Sequence, residues 1–287
     1  MEHEDFEEVN ILIDADSLYF RSCMVTQKQN EIRRSVDNML KEIETECGIF
    51  STPKLAIAVK GAGNFRHDIY DKYKGQRKEL EPKIKEALGY AHNYMVEKHG
   101  AIRCDGMEAD DMVAMWAWEC IKANKAYVVV HIDKDLNMIP GAHYNFVKRT
   151  HYMVDFEEAH TNFLKQILTG DSADNIPGVM GIGPKKSEKL LEGVSFDRRW
   201  QKVREQWDDK KQMEISARLL WMATTQEEVD EANKQVMDRL EAKTLDEFWL
   251  GTKEDTQDES DEQQSESETS ECQQDVWEER EDNIQDS

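Results

Sequence analysis

Two segments of this chain share one pattern, and that pattern leaves few folds open. Val9-Asn10-Ile11-Leu12-Ile13 is apolar and β-branched, and it runs into Asp14-Ala15-Asp16-Ser17. Ala126-Tyr127-Val128-Val129-Val130-His131-Ile132 repeats the arrangement and runs into Asp133-Lys134-Asp135. Short apolar runs of this kind read as buried strands. Strands covered on both faces belong to parallel sheets, whose carboxyl ends gather on one rim, where open α/β folds build their sites. One strand ending in Asp-x-Asp is common. Two in the same chain point to acids that converge. Asp16 or Ser17 is expected to cap the next helix, which leaves Asp14 as the ligand candidate of the first pair.

A third acidic group strengthens this reading. Gly106-Met107-Glu108-Ala109-Asp110-Asp111 precedes Met112, Val113, Trp116, Ala117, Cys120 and Ile121, apolar positions at helical spacing. Glu108, Asp110 and Asp111 therefore sit at or before a first helical turn. The helix dipole favours acids there by only about 0.3–1 kcal/mol each. Three close carboxylates repel one another, and a hard cation such as Mg²⁺ relieves that repulsion. A solvated acidic helix start is the competing reading.

Between these groups lies a second strand, Lys54–Val59, then the loop Lys60-Gly61-Ala62-Gly63-Asn64-Phe65-Arg66. Its two glycines are weak evidence of phosphate binding, because no full phosphate-loop pattern is present. The stretch after it is basic: Arg66, Lys72, Lys74, Arg77 and Lys78, with Tyr70 and Tyr73 interleaved. Cations among aromatics suit a single-stranded nucleic acid, whose bases stack while its phosphates pair; an ordinary charged surface is the alternative. Residues 31–47 read as a helix, and 79–99 as a helix broken near Pro82 and Gly89. Ala101–Cys104 reads as a short strand, and Tyr144–Val147 as one more after a turn at Met138–Gly141. His131 reads as structural. Alternating strands and helices argue for an α/β parallel sheet flanked by helices.

From Phe156 the pattern turns helical. Gly170-Asp171-Ser172-Ala173-Asp174-Asn175 leads through Ile176-Pro177-Gly178-Val179-Met180 to Gly181-Ile182-Gly183-Pro184-Lys185-Lys186. A helix, a tight glycine loop and a second helix form a helix–hairpin–helix element. Gly181 and Gly183 would bring backbone N–H groups to a phosphate, and Lys185 and Lys186 add charge. Residues 196–249 read as charged helices with Trp200, Trp207, Leu219, Leu220, Trp221 and Met222 as core.

The net charge of −23 is unusual for a nucleic-acid binder. From Gly251 to Ser287 there are 15 acidic residues against Lys253 and Arg280, a local charge of −13. That segment has almost nothing to bury and reads as a disordered acidic tail, able to solubilise the chain or meet a basic partner. Binding must then rest on local basic patches. The five cysteines are scattered and form no Cys-x-x-Cys pair, which disfavours zinc and suits reduced thiols in a cytoplasm. No run of about 18 apolar residues occurs.

Together these residues resemble the 5′-nuclease family: flap endonucleases, the 5′-nuclease domain of bacterial DNA polymerase I, and phage 5′→3′ exonucleases. The resemblance rests on Ile13–Asp16, Phe65-Arg66 with Tyr73–Arg77, Glu108–Asp111, Asp133–Asp135, and Gly170 through Gly183, in the family's order. The compact size looks most like phage or phage-like members, which would put the protein in a host cytoplasm. The resemblance implies a PIN-like nuclease domain over 1–155, a helical subdomain with a helix–three-turn–helix over 156–250, and a tail over 251–287. It implies two Mg²⁺ ions, with Mn²⁺ as a substitute. Asp14, Glu108 and Asp110 or Asp111 would surround one ion, and Asp133, Asp135, Asp171 and Asp174 would lie near the other. Lys74 and Arg77 would face the scissile phosphate. Arg66, Lys72 and Lys78 would bind nucleic acid, and residues 66–100 would form an arch over single-stranded 5′ ends. The partners implied are DNA with 5′ ends, flaps or nicks, with RNA–DNA hybrids as a further candidate. The family usually has another aspartate after the second strand; here Val59–Asn64 holds none, so Asp16 or water would fill that place. Two rival functions are a PIN-type ribonuclease and a catalytically silent DNA-structure binder.

Overall fold

The computed structural model describes residues 8–49 and 51–250; the acidic tail expected over 251–287 lies outside them. Five parallel strands and one antiparallel strand form a sheet in the order β3-β2-β1-β4-β5-β6. They are β1 (Glu8–Asp14), β2 (Thr52–Lys60), β3 (Ile102–Cys104), β4 (Ala126–His131), β5 (Gly141–Asn145) and β6 (Thr150–Val154). β1 lies at the centre between β2 and β4, so the two strands that end in Asp-x-Asp are hydrogen-bonded neighbours. Asp14 and Asp133 thus emerge on the same rim.

Strand periodicity sends alternate side chains to opposite faces. Ile11, Ile13, Ile57, Val59, Val128 and Val130 pack on one face under α1 (Ala15–Val25), α2 (Gln29–Cys47) and α4 (Pro82–His99). A four-residue helix, α3 (Arg66–Ile69), lies between β2 and α4 in sequence. Leu12, Ala56, Ala58 and Val129 face the other way, toward α5 (Ala109–Lys122) and α6 (Phe156–Thr169). That second cluster continues without a break into the carboxyl-terminal helices α7 (Pro184–Leu191), α8 (Phe196–Arg204), α9 (Lys210–Leu220), α10 (Gln226–Asp230), α11 (Val236–Leu240) and α12 (Leu245–Leu250). Trp221 and Trp249 stack with ring centroids 5.9 Å apart, and Trp249 stacks on Trp118 of α5 at 5.3 Å. Trp200, Trp207, Leu219, Leu220 and Met222 are buried, as expected from sequence.

The fold departs from the sequence reading in four places. Pro82 and Gly89 do not break a helix. Pro82 stands in the first turn of α4, where a missing N–H costs nothing, and Gly89 is followed by the buried Ala91 and Met95. Because Ala87, Ala91 and Met95 lie in the sheet-face core, α4 belongs to the covering layer and is not part of an arch. The expected strand at 144–147 runs instead over Gly141–Asn145, and β6 returns antiparallel to it. Gly141 begins that strand at φ +122, and a Cβ there would collide with the Tyr127 ring. Finally, Asp14 itself caps α1, accepting from Asp16 N at 3.2 Å, while Asp16 reaches sideways.

Candidate active site

The rim above β1 and β4 collects the acids. Asp14 is 4% exposed. Burial first, then the neighbouring Asp16 and Asp133, push its carboxyl up to about 7. Asp110, in the first turn of α5, is driven well above the usual carboxylate range by burial and by Asp14, Glu108 and Asp133. Asp135 is raised to about 7 by burial and by Asp133 and Asp171. Its Oδ1 accepts from Gln166 of α6 at 2.6 Å. Asp133 caps the turn that follows β4, accepting from Asp135 N at 3.0 Å. Asp171 accepts from Ala173 N at 2.7 Å. Strand ends, a helix start and the loop after α6 therefore link Glu108, Asp110, Asp14, Asp133, Asp135 and Asp171 as a chain of electrostatic neighbours. The group carries more negative charge than its surroundings neutralise.

Asp16 faces the β2 end, where Oδ1 accepts from Tyr19 Oη at 2.7 Å and from Lys60 N at 3.1 Å. Behind β4 the imidazoles of His131 and His143 meet at 2.8 Å, and His131 also bonds the Asp133 carbonyl. Burial holds His131 down to about 3 and His143 to about 4. The pair supports the acidic turn from within the sheet, in keeping with the structural role expected of His131.

Beside the acids stands the basic loop. Lys74 is ion-paired with Glu108 and lies 3.6 Å from Asp174. Arg77 bonds Asp174 Oδ1 at 2.5 Å, and the buried Tyr73 hydroxyl donates to Glu108 at 3.0 Å and Asp174 at 3.2 Å. Burial pushes the Glu108 carboxyl up, but Arg66 and Lys74 hold it below its ordinary range. Lys72 and Lys78 are exposed on the same loop. Below it, Gly178 packs directly on the backbone of Thr169 and Gly170, closer than any Cβ would allow. Gly181, at φ +76, and Gly183, the cap of α7, are exposed together with Lys185 and Lys186.

Two residues expected at the site, Arg66 and Asp111, are engaged elsewhere. Arg66 is 3% exposed, and Asp111 is fully buried. Arg66 Nη1 and Nη2 bond the two Asp111 oxygens at 2.6 and 2.8 Å. The same guanidinium donates to the carbonyls of Leu219 at 2.8 Å and Trp221 at 2.9 Å. Asp111 also accepts from Ala223 N and Glu108 N, both at 3.0 Å. A carboxylate with four donors and no exposure has no face left for a metal ion, and Arg66 has none for a nucleic acid. Asp174, expected near the second ion, is paired with Tyr73, Lys74 and Arg77. Sequence reading missed the joint role of Tyr73 and Asn175, whose side chains tie the basic loop to the site.

The family described as the 5′-3′ exonuclease N-terminal, resolvase-like domain matches residues 9–165. The chain belongs to that family. Among relatives, DNA polymerase I of Rhizobium leguminosarum is 35% identical over 164 residues, 52% of this chain and 16% of the polymerase. Flap endonuclease Xni of Shewanella piezotolerans is 31% identical over 150 residues, 47% of this chain and 58% of that protein. The chain thus spans well under two thirds of either relative's own length. A 5′-3′ exonuclease of Mycoplasma genitalium is 29% identical over 213 residues, covering 63% of this chain and 71% of that one. A zinc-bound T5 5′-exonuclease structure shares the fold with a TM-score of 0.60 at 18% identity, covering 81% of this chain and 99% of that chain. The bacteriophage T5 flap endonuclease, solved with DNA and metal ions, superposes with a TM-score of 0.56 at 18% identity, covering 85% of this chain and all of that one. The family's α/β fold, a mixed six-stranded sheet flanked by helices, is therefore the fold of this chain. Among the described residues no helix is long and apolar enough to cross a membrane.

Proposed function

We propose that this protein is a structure-selective, divalent-metal-dependent 5′→3′ exonuclease or flap endonuclease acting on DNA. The observation that carries the proposal is the uncompensated acidic rim, with Asp14 and Asp135 raised to about 7, beside a loop that carries Lys74 and Arg77. Among the described residues no three side chains are drawn together tightly enough to hold an ion as they stand. The donor set nevertheless fits hard cations. It is all carboxylate, it repels itself, and one member, Glu108, already holds the Lys74 ammonium as a stand-in positive charge. Asp14, Glu108 and Asp110 would hold one Mg²⁺, and Asp133, Asp135 and Asp171 a second, with Mn²⁺ able to replace either. When bound, such ions activate water at neutral pH and stabilise the attacking and leaving oxygens of an in-line displacement.

The chain's own residues do the rest. Lys74 and Arg77 would leave Glu108 and Asp174 for the scissile phosphate, neutralising its charge in the transition state. Tyr73 would hold the two acids in place through its shared hydroxyl. Gly181, Gly183, Lys185 and Lys186 would hold the duplex by its phosphates, so selection follows structure and not sequence. Lys72 and Lys78 would add single-strand contacts along the loop. Nicked DNA and RNA–DNA hybrids fit the same grip, and the cytoplasm, a phage host's included, is the matching compartment. The test uses 5′-labelled duplex, flap and single-stranded RNA, each with Mg²⁺ or EDTA. Mg²⁺-dependent release from flap or duplex 5′ ends is expected. Cleavage of RNA alone would favour a PIN-type ribonuclease, and binding without product would leave a DNA-structure binder.

A further inference from the structure

The loop that carries the cations is fastened to the root of the hairpin by the side chains of Asp174 and Asn175, and only Asn175 reaches the backbone of the loop. Asn175 Nδ2 donates to the Lys72 carbonyl at 2.8 Å, and its Oδ1 accepts from Gln76 Nε2 at 2.7 Å. Beside it, the Lys74 amide donates to the Asp174 carbonyl at 2.8 Å. Lys74 and Asn175 both sit in the left-handed region, at φ +56 and +60. A non-glycine residue keeps such a backbone only where its surroundings hold it. Asparagine is among the few side chains at ease there, and it offers a donor and an acceptor at once. Glycine would accept the backbone but make neither bond. Aspartate would turn an oxygen toward the Lys72 carbonyl. On the other side of Asn175 the chain is pinned by the Asp171–Ile176 pair, at 3.0 and 2.7 Å, and then enters the Gly178–Gly183 hairpin.

We infer that Asn175 is a positioning residue that locks the Lys72–Arg77 turn to the hairpin root, so that the grip on the duplex and the placement of Lys74 act as one body. The inference rests on the nuclease reading above, with Lys74 contacting the scissile phosphate. It goes further by naming the residue that presets that contact.

The test compares wild type, Asn175→Gly and Gln76→Ala, with Asn175→Gly also made in a Lys74→Ala background. Three quantities are read: the single-turnover rate on a 5′ flap with Mg²⁺, the DNA Kd in EDTA, and hydrogen exchange at the Lys74 amide. Asn175→Gly keeps the left-handed backbone and should slow cleavage on the order of 10-fold to 100-fold, as misplacement of a reacting group does. Its Kd should change less than about 3-fold, and the Lys74 amide should exchange faster. Gln76→Ala, which removes one bond without touching the left-handed residue, should show a smaller loss in the same direction. In the Lys74→Ala background Asn175→Gly should cost no more than about 2-fold, because its effect runs through Lys74. An equal loss in both backgrounds, or unchanged exchange at Lys74, overturns the inference. If wild type cleaves nothing, the nuclease reading fails separately; faster exchange in Asn175→Gly would still uphold the tether.

Discussion

Asp111→Asn and Arg66→Met separate a structural bolt from a metal ligand. The Arg66–Asp111 pair is bidentate, at 2.6 and 2.8 Å, with both side chains almost out of solvent. Each partner also serves the carboxyl-terminal helices: Arg66 bonds the carbonyls of Leu219 and Trp221, and Asp111 accepts from Ala223 N. Removing either charge strands the other in a low-dielectric interior, which costs about 3–5 kcal/mol in comparable buried pairs. The Leu219 and Trp221 carbonyls lose a donor as well, so the upper part of that range is expected for Arg66→Met. For a folded unit of roughly 250 residues, each kcal/mol moves the Tm by about 2–4 °C, so the drop should be about 6–20 °C. The measurement is calorimetry or urea unfolding of metal-free protein, where a bound ion cannot mask the effect. The double variant Arg66→Met with Asp111→Leu should recover the part of the loss that comes from the stranded charge, while the Leu219 and Trp221 carbonyls and the Ala223 and Glu108 amides stay unpaired. A Tm within about 2 °C of wild type for Asp111→Asn, together with lost Mg²⁺-dependent cleavage, would refute the bolt and return Asp111 to the metal site.

Asp110→Asn should behave in the opposite way: turnover vanishes, while metal-free protein at pH 7.5 melts about 2 °C or more higher, because the change relieves repulsion with Asp14, Glu108 and Asp133. A lower Tm would contradict that account. Lys74→Ala should cut kcat on the order of 10²-fold or more while the DNA Kd moves less than about 3-fold, and equal losses in both would reduce Lys74 to a binding contact. His160, 2% exposed between Phe196 and Phe248 at 4.6 Å from each ring, is held down to about 3 by burial and then by Arg199. Its folded pKa lies below the unfolded value, so stability is lost as pH falls below about 6.5, by about 1 kcal/mol between pH 7 and 5.5. His160→Phe should remove that part of the pH dependence, and a parallel pH–stability curve would contradict the assignment.

What the sequence disclosed and what it hid divide along physical lines. Asp14, Asp133 and Asp135 were legible because the apolar runs before them are local and fix both the strand and its end. The hairpin at Gly181–Gly183 was legible because its glycines answer to backbone geometry, which neighbouring residues dictate. Arg66 reads as a nucleic-acid contact because a buried and an exposed arginine look alike in one dimension. The acceptors that bury it lie 45, 153 and 155 residues away, at Asp111, Leu219 and Trp221. Pro82 reads as a helix breaker for a different reason. A proline ends a helix or opens one, and only the buried spacing of Ala87, Ala91 and Met95 beyond it decides which.

Asp110 and Asp111 carry the same chemistry at adjacent positions, yet the fold assigns them opposite tasks. Successive residues on a helix are turned by about 100°, so two neighbours at a first turn address different surroundings. α5 runs between the sheet rim and the carboxyl-terminal helices. Asp110 is therefore turned to the acids at the ends of β1 and β4, and Asp111 to Arg66 and the chain after α9. One carboxylate adds to a repulsion that a cation would relieve; the other is neutralised within the protein. The second arrangement steadies the first. The bond that Asp111 accepts from Glu108 N fixes the start of the helix whose first turn carries Asp110. A stable helix start is what allows unneutralised carboxylates to be held close together without the rim opening, and it accounts for a fully buried ion pair beside an acidic site.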